Sequence, residues 1–228
     1  MRLPSLVSSG AKLLETFGLY HLTRLKADKT LKEMADAFEK AQGRLKQRIE
    51  AYKAAEASAM TAMAIRDGED DAFDEAIGQL ALDVLKATGN SKKSALYLKY
   101  FPDGMTAIVN APLEAELQKA GVILAKLAEE EDPAITAHAG PIRTALEALA
   151  TAIDTHKSAM EVEMQTYGML QTEKVNWLDT YKKDYRDLTR LFYKAPKKAE
   201  GYFKPASKGD KADKEAKKEP ETPATPKV

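Results

Sequence analysis

The chain has 228 residues, of which 44% are hydrophobic, only 7% are aromatic and none is cysteine, so a core can be buried but disulfides, thiol catalysis and thiolate metal sites are excluded. Its 35 basic and 35 acidic residues cancel, so no whole-molecule field draws it to nucleic acid or a membrane, and any such partner must be met by a local patch. Alanine, leucine, lysine and glutamate dominate, which is the profile of long helices.

The first segment, residues 1–27, places Leu6, Leu13, Leu14, Phe17, Tyr20 and Leu25 near one side of a helical wheel, an amphipathic helix. Asp28 offers an N-cap to a second segment in which Leu31, Met34, Phe38, Ala41 and Leu45 alternate at three and four residues. The pattern then slips by one to Ile49 and Tyr52 and runs through an alanine-rich stretch that carries Met60 and Met63. Gly43 alone interrupts 28–66, so one helix there would span ~58 Å at about 1.5 Å per residue. The run Asp67, Gly68, Glu69, Asp70, Asp71 predicts an acidic turn, followed by a third helix bearing Phe73, Ile77, Leu80, Val84 and Leu85 that stops at Gly89.

Leu96 to Val109 is the least helical region. Phe101, Pro102, Asp103 and Gly104 form a turn there, and a small hairpin is an open alternative. Asn110 and Pro112 look like a cap and first turn for a helix with Leu113, Leu117, Ile123, Leu124 and Leu127, and Pro133 closes or restarts it. From 141 to 194, Ile142, Leu146, Leu149, Ile153, Met160, Met164 and Tyr167 recur at helical spacing, and Trp177, Tyr181, Tyr185, Leu188 and Phe192 continue the seam. That helix would run ~80 Å at about 1.5 Å per residue, a length typical of coiled coils and extended bundles. Pro196 is expected to end the ordered body, with Gly201, Tyr202, Phe203 and Pro205 as a final hydrophobic clip. Residues 205–228, rich in Lys, Glu and Pro, are expected to be disordered.

The fold expected is all-α: an elongated, antiparallel, coiled-coil-like bundle over 28–204 with two long helices, an N-terminal amphipathic helix and a charged tail. No run reaches the ~18 apolar residues of a membrane span, and the N-terminus lacks a signal peptide's continuous apolar stretch. With no cysteine, this suggests a soluble cytoplasmic protein.

Catalytic and metal motifs are missing. None of His21, His138 and His156 follows a carboxylate by three residues as helical di-iron sites require, so each is expected to be a surface or core-edge residue. The acidic run Asp67 to Glu75 has Ala72 where a calcium loop needs glycine. There is no G-x-S-x-G, no phosphate-binding loop and no dinucleotide fingerprint. The expectation is therefore a protein without enzymatic activity, cofactor or metal.

Charge is segmental. Residues 1–66 hold twelve basic and seven acidic groups, residues 67–88 one and seven, and residues 174–204 nine and four. In the last of these, Lys182, Lys183, Arg186, Arg190 and Lys194 share a broad helical face within a basic stripe over 182–198, the candidate anion-binding surface. Asp179 and Asp187 stand close enough along the helix to neutralise part of it.

The leading expectation is a helical scaffold or assembly protein whose apolar seams are completed by its own helices, a second copy or another helical protein. Its contact residues are Leu31, Met34, Phe38, Leu45, Tyr181, Tyr185, Leu188 and Phe192. Met60, Met63, Met160 and Met164 suit either a core or an adaptable groove for a partner helix. Two alternatives stand beside it: a nucleic-acid-associated protein using the basic stripe, and a helical coat on a lipid or polymer surface. The last rests on composition alone, in which alanine-rich helices with a lysine-and-proline tail are similar to bacterial granule-coating proteins.

Overall fold

A computed structural model describes residues 4–205. Over these residues the protein is all-helical with no strand, and its two longest helices pack against each other. A π-helical turn, Lys12–Gly18, leads into α1, Leu19–Lys26. Asp28 caps the next segment by accepting from the Thr30 amide at 3.1 Å, and α2 then runs from Lys32 to Ala87. Four short or medium helices follow: α3, Ala95–Tyr100; α4, Thr106–Val109; α5, Leu113–Ala128; and α6, Pro133–Thr136. The second long helix, α7, spans Ala139–Leu191, and α8 is Pro196–Glu200.

Three expectations are corrected. The acidic run Asp67 to Asp71 is no turn, because α2 passes through it and joins the expected second and third helices into one of 56 residues. Gly68 costs a helix only about 1 kcal/mol relative to alanine, and inward positions at Ala62, Arg66, Asp70 and Phe73 keep the three-four spacing across the run. Leu96 to Val109 holds α3 and α4 rather than a hairpin, with the Ser94 hydroxyl capping the Tyr97 amide at 3.2 Å. Pro196 starts α8 instead of ending the ordered chain, since its fixed φ suits a first helical turn. The stop at Gly89 is as expected. Gly89 and Asn90 have φ of +63° and +64°, and the Asn90 amide returns to the Leu85 carbonyl at 2.7 Å. The charged tail beyond 205 lies outside the described residues.

Contacts divide the chain into two compact units, one formed by the chain up to Ala51 and from Tyr167 onward, the other by Tyr52–Thr166. The N-terminal helix is part of the first unit. In that unit α2 and α7 run antiparallel, since Gln42, Arg44 and Arg48 meet Trp177, Glu173 and Met169 in turn. Phe38, Leu45, Trp177, Tyr181 and Leu188 are fully buried between them, as are Leu13 and Leu25 from the N-terminal segment. Burying each such side chain contributes about 1.5–3 kcal/mol. The expected clip is present, with Tyr202 and Phe203 buried and Phe203 set edge-on to Tyr181 at 5.1 Å. Gly18 lies directly over the Gln42 side chain, which accepts from the Trp177 indole at 2.8 Å and donates to the Leu14 carbonyl at 3.4 Å.

In the second unit, Phe73, Ile77, Leu80 and Val84 of α2 and Ile142, Leu149 and Ile153 of α7 form a core with Tyr97, Tyr100, Phe101, Ile123, Leu127 and Ile135 from the intervening helices. Glu130 closes this end. It accepts from the Lys99 ammonium at 2.8 Å and the Tyr100 hydroxyl at 2.7 Å, which pull its carboxyl down to about 2.

Candidate functional site

The feature that departs most from ordinary surface chemistry is an apolar face in the second unit. Arg66 meets His156 at 3.1 Å and Asp83 meets His138 at 3.0 Å, so α2 and α7 are antiparallel here too. Between Tyr52 and Arg66 the inward positions of α2 are small, Ala55, Ala59 and Ala62, and all are buried. Opposite them, from Asp154 to Thr166, α7 buries no residue fully; His156, Ala159, Glu163 and Thr166 are its half-buried inward positions. A two-helix layer with alanine between its members has little interior to offer large side chains.

Met60 and Met63 each follow a buried alanine by one residue, and Met160 and Met164 each follow a half-buried inward position by one residue. One residue is a rotation of about 100° at 3.6 residues per turn. Antiparallel helices turn in opposite senses when viewed from one end, so this offset brings all four methionines to the same side of the pair. They are 64%, 41%, 48% and 72% exposed. Ile65 and Val162, which precede inward positions by one residue, are half-exposed on the opposite side. Four flexible, polarizable side chains on one face make it apolar and adaptable in shape.

The seam residues named from sequence are brought together, but inside the first unit. Leu31, Phe38, Leu45, Tyr181 and Leu188 are buried and Met34, Tyr185 and Phe192 half-buried, so the chain's own helices occupy that seam. Lys182, Lys183, Arg186, Arg190 and Lys194 are all exposed along the end of α7 and just beyond it. Asp179 pairs with Lys182 at 3.8 Å and Asp187 with Arg190 at 3.7 Å, while the Lys194 ammonium sits 5.5 Å from the Tyr193 ring centre. Such exposed pairs contribute little, and the stripe keeps most of its positive charge.

His21 corrects a further expectation: it is neither a surface nor a core-edge residue but completely buried. Its Nε2 meets the Asp184 carboxylate at 3.1 Å and its Nδ1 meets the Tyr202 carbonyl at 3.0 Å. Phe203 stacks on the ring at 4.5 Å, and Phe38 approaches it edge-on at 4.6 Å. A carbonyl oxygen only accepts, so Nδ1 carries a proton and donates. The contact ties α1, α7 and the clip together and leaves no approach for a substrate. Its partner Asp184 lies 163 residues away, so no local pattern announces it.

Two further features were not foreseen. The Phe101 to Gly104 turn forms one wall of an open apolar pocket of about 400 Å³ that Leu82, Leu85, Tyr97 and Met105 also line. Glu116 of α5 is 1% exposed, and burial first, then the carboxylates Asp70 and Asp74 of α2, push its carboxyl up to about 8. Among the described residues, no group of three or more His, Asp or Glu side chains is arranged to hold a metal ion, and no helix is long and apolar enough to cross a membrane. Comparison with protein-family models, curated proteins and solved structures finds no match.

Proposed function

We propose that this is a non-enzymatic helical assembly protein that associates with a second copy of itself through the methionine face of its second unit. The observation that carries this reading is the side-by-side exposure of Met60, Met63, Met160 and Met164 where, among the described residues, only two helices are layered. An antiparallel helix pair is close to two-fold symmetric about an axis perpendicular to its face. The same face on a second copy, turned end for end, therefore offers a matching surface, as an isologous interface requires. A formal net charge of +0 at pH 7 puts no long-range repulsion between copies. Four helices together would enclose the interior that two helices lack.

Light scattering on the size-exclusion peak tests it. The full chain is expected at twice its 25.1 kDa mass, and Met164→Glu combined with Met60→Glu at the monomer mass with unchanged helical circular dichroism. A wild-type monomer at tens of micromolar would overturn the reading. The basic stripe supports a second one, association with nucleic acid, because Lys182, Lys183, Arg186, Arg190 and Lys194 are all exposed on one stretch. That reading requires retention on immobilised DNA or RNA that falls steeply with salt.

A further inference from the structure

Asp70 and Asp74 stand one turn apart on α2, and Glu116 reaches them from the first turn of α5. One buried oxygen of each, Asp70 Oδ1, Asp74 Oδ1 and Glu116 Oε1, has no hydrogen-bond partner. Glu116 is itself 1% exposed, so it is withdrawn from bulk solvent.

The basic groups of the surrounding elements are committed elsewhere. Arg66, one turn before Asp70, is spent on Asp67 and on His156 at 3.1 Å. Lys99 of α3 is held by Glu130 at 2.8 Å, and Lys157 of α7 lies 3.5 Å from Glu114. On α5 itself, Lys119 donates to the Ala107 carbonyl and Lys126 to the Lys99 carbonyl. Asp71 adds further negative charge beside Asp74. The amino end of α5 favours a negative group, but three carboxylates exceed the half charge a helix terminus provides.

Three ionised carboxylates would be three acceptors with no donor among them. A single proton resolves the arrangement. A protonated Glu116 donates its O–H to an Asp70 or Asp74 oxygen, and the strong O–H···O⁻ contact replaces repulsion. We propose that Asp70, Asp74 and Glu116 form a proton-sharing latch that fastens the first turn of α5 to α2 and opens when the shared proton is lost to water. This does not depend on the assembly reading, because the latch lies within one copy of the chain.

The sign follows from the direction of the shift. Glu116 titrates at about 8 in the folded chain against an ordinary 4.5. The latch therefore contributes fully below pH 4.5 and loses its contribution as pH rises to 8.

The test uses the full chain and compares wild type, Glu116→Gln and Asp70→Asn, with urea midpoints and amide hydrogen exchange of residues 113–120 measured from pH 5 to 9. For wild type the midpoint is expected to fall across this range. Its exchange, corrected for the intrinsic rate, should rise by up to about tenfold per pH unit between 6 and 8. Glu116→Gln, which keeps a donor but cannot ionise, should hold both readings flat and exceed wild type at pH 9. Asp70→Asn should flatten them in part by removing one repelling charge. Identical pH profiles in all three proteins would overturn the latch. So would restoration of wild-type protection at pH 9 by millimolar calcium or magnesium with no effect on Glu116→Gln, which would reassign the cluster as a cation site.

Discussion

Replacing Gly18 by alanine should destabilise the protein even though alanine is the better helix former by about 1 kcal/mol. A Cβ at Gly18 would come within 2.1 Å of Gln42 Nε2 and 2.5 Å of its Oε1. The Gln42 amide is the end of a flexible side chain, so it would swing aside rather than force the backbone apart. Moving it removes the acceptor of the Trp177 indole N–H, a bond of 2.8 Å to a side chain that is 0% exposed. Leaving such a donor unsatisfied costs about 1–3 kcal/mol. The Leu14 carbonyl loses less, because it still accepts from the Leu19 amide. Subtracting the gain in propensity leaves a net loss of up to about 2 kcal/mol. Trp177 is the only tryptophan, so its fluorescence during urea unfolding reports this site directly. Gly43→Ala is the matched control. No atom lies within 4 Å of a Cβ built there, and it should stabilise by up to about 1 kcal/mol. If Gly18→Ala stabilised the chain as much as Gly43→Ala, the Gln42 bridge would contribute nothing and the reasoning would fail.

Phe38→Ala should cost about 3–5 kcal/mol, since the ring is fully buried against Trp177 at 5.5 Å and His21 at 4.6 Å, and a thermal melt should show the loss. Phe38→Asp, which adds an unpaired charge to the same cavity, should abolish folding of the first unit; a normal melt would refute that placement. Glu130 gives the opposite pH behaviour to Glu116. Its carboxyl is lowered from 4.5 to about 2, so its contribution is complete above pH 4.5 and is lost as pH falls toward 2. Glu130→Gln should therefore flatten the acid side of the stability profile, as read by circular dichroism between pH 5 and 2, and an unchanged acid limb would count against the Lys99–Tyr100–Glu130 cluster.

Most of the helical framework can be read from local pattern. The three-four spacing of Leu31, Met34, Phe38, Ala41 and Leu45, and of Trp177, Tyr181, Tyr185 and Leu188, marks the faces that the first unit buries, and Tyr202 and Phe203 mark the clip. The Asp67 to Asp71 run misleads because carboxylates around a glycine resemble the start of a helix, whereas inside one they can simply face solvent, as Asp67 and Asp71 do. Pro196 misleads because proline both stops a helix and opens the next. The methionines are legible as a set, but whether they line a core or a surface depends on how many helices stack at their level. That is settled by the small buried Ala55, Ala59 and Ala62 rather than by the methionines themselves. His21 with Asp184, and Glu116 with Asp70 and Asp74, are long-range meetings of polar groups that leave no trace in the spacing of either partner.

The division of the chain bears on the order in which it can fold during synthesis. Every contact internal to the second unit is available once Thr166 has been translated, whereas the first unit joins residues up to Ala51 to residues from Tyr167 onward. His21 and Phe38 are made early, yet their ring partners Trp177, Tyr181 and Phe203 come last. During that interval the apolar N-terminal segment lacks its partners from the second half of α7 and from the clip. The second unit can therefore be completed while the first still lacks its C-terminal half.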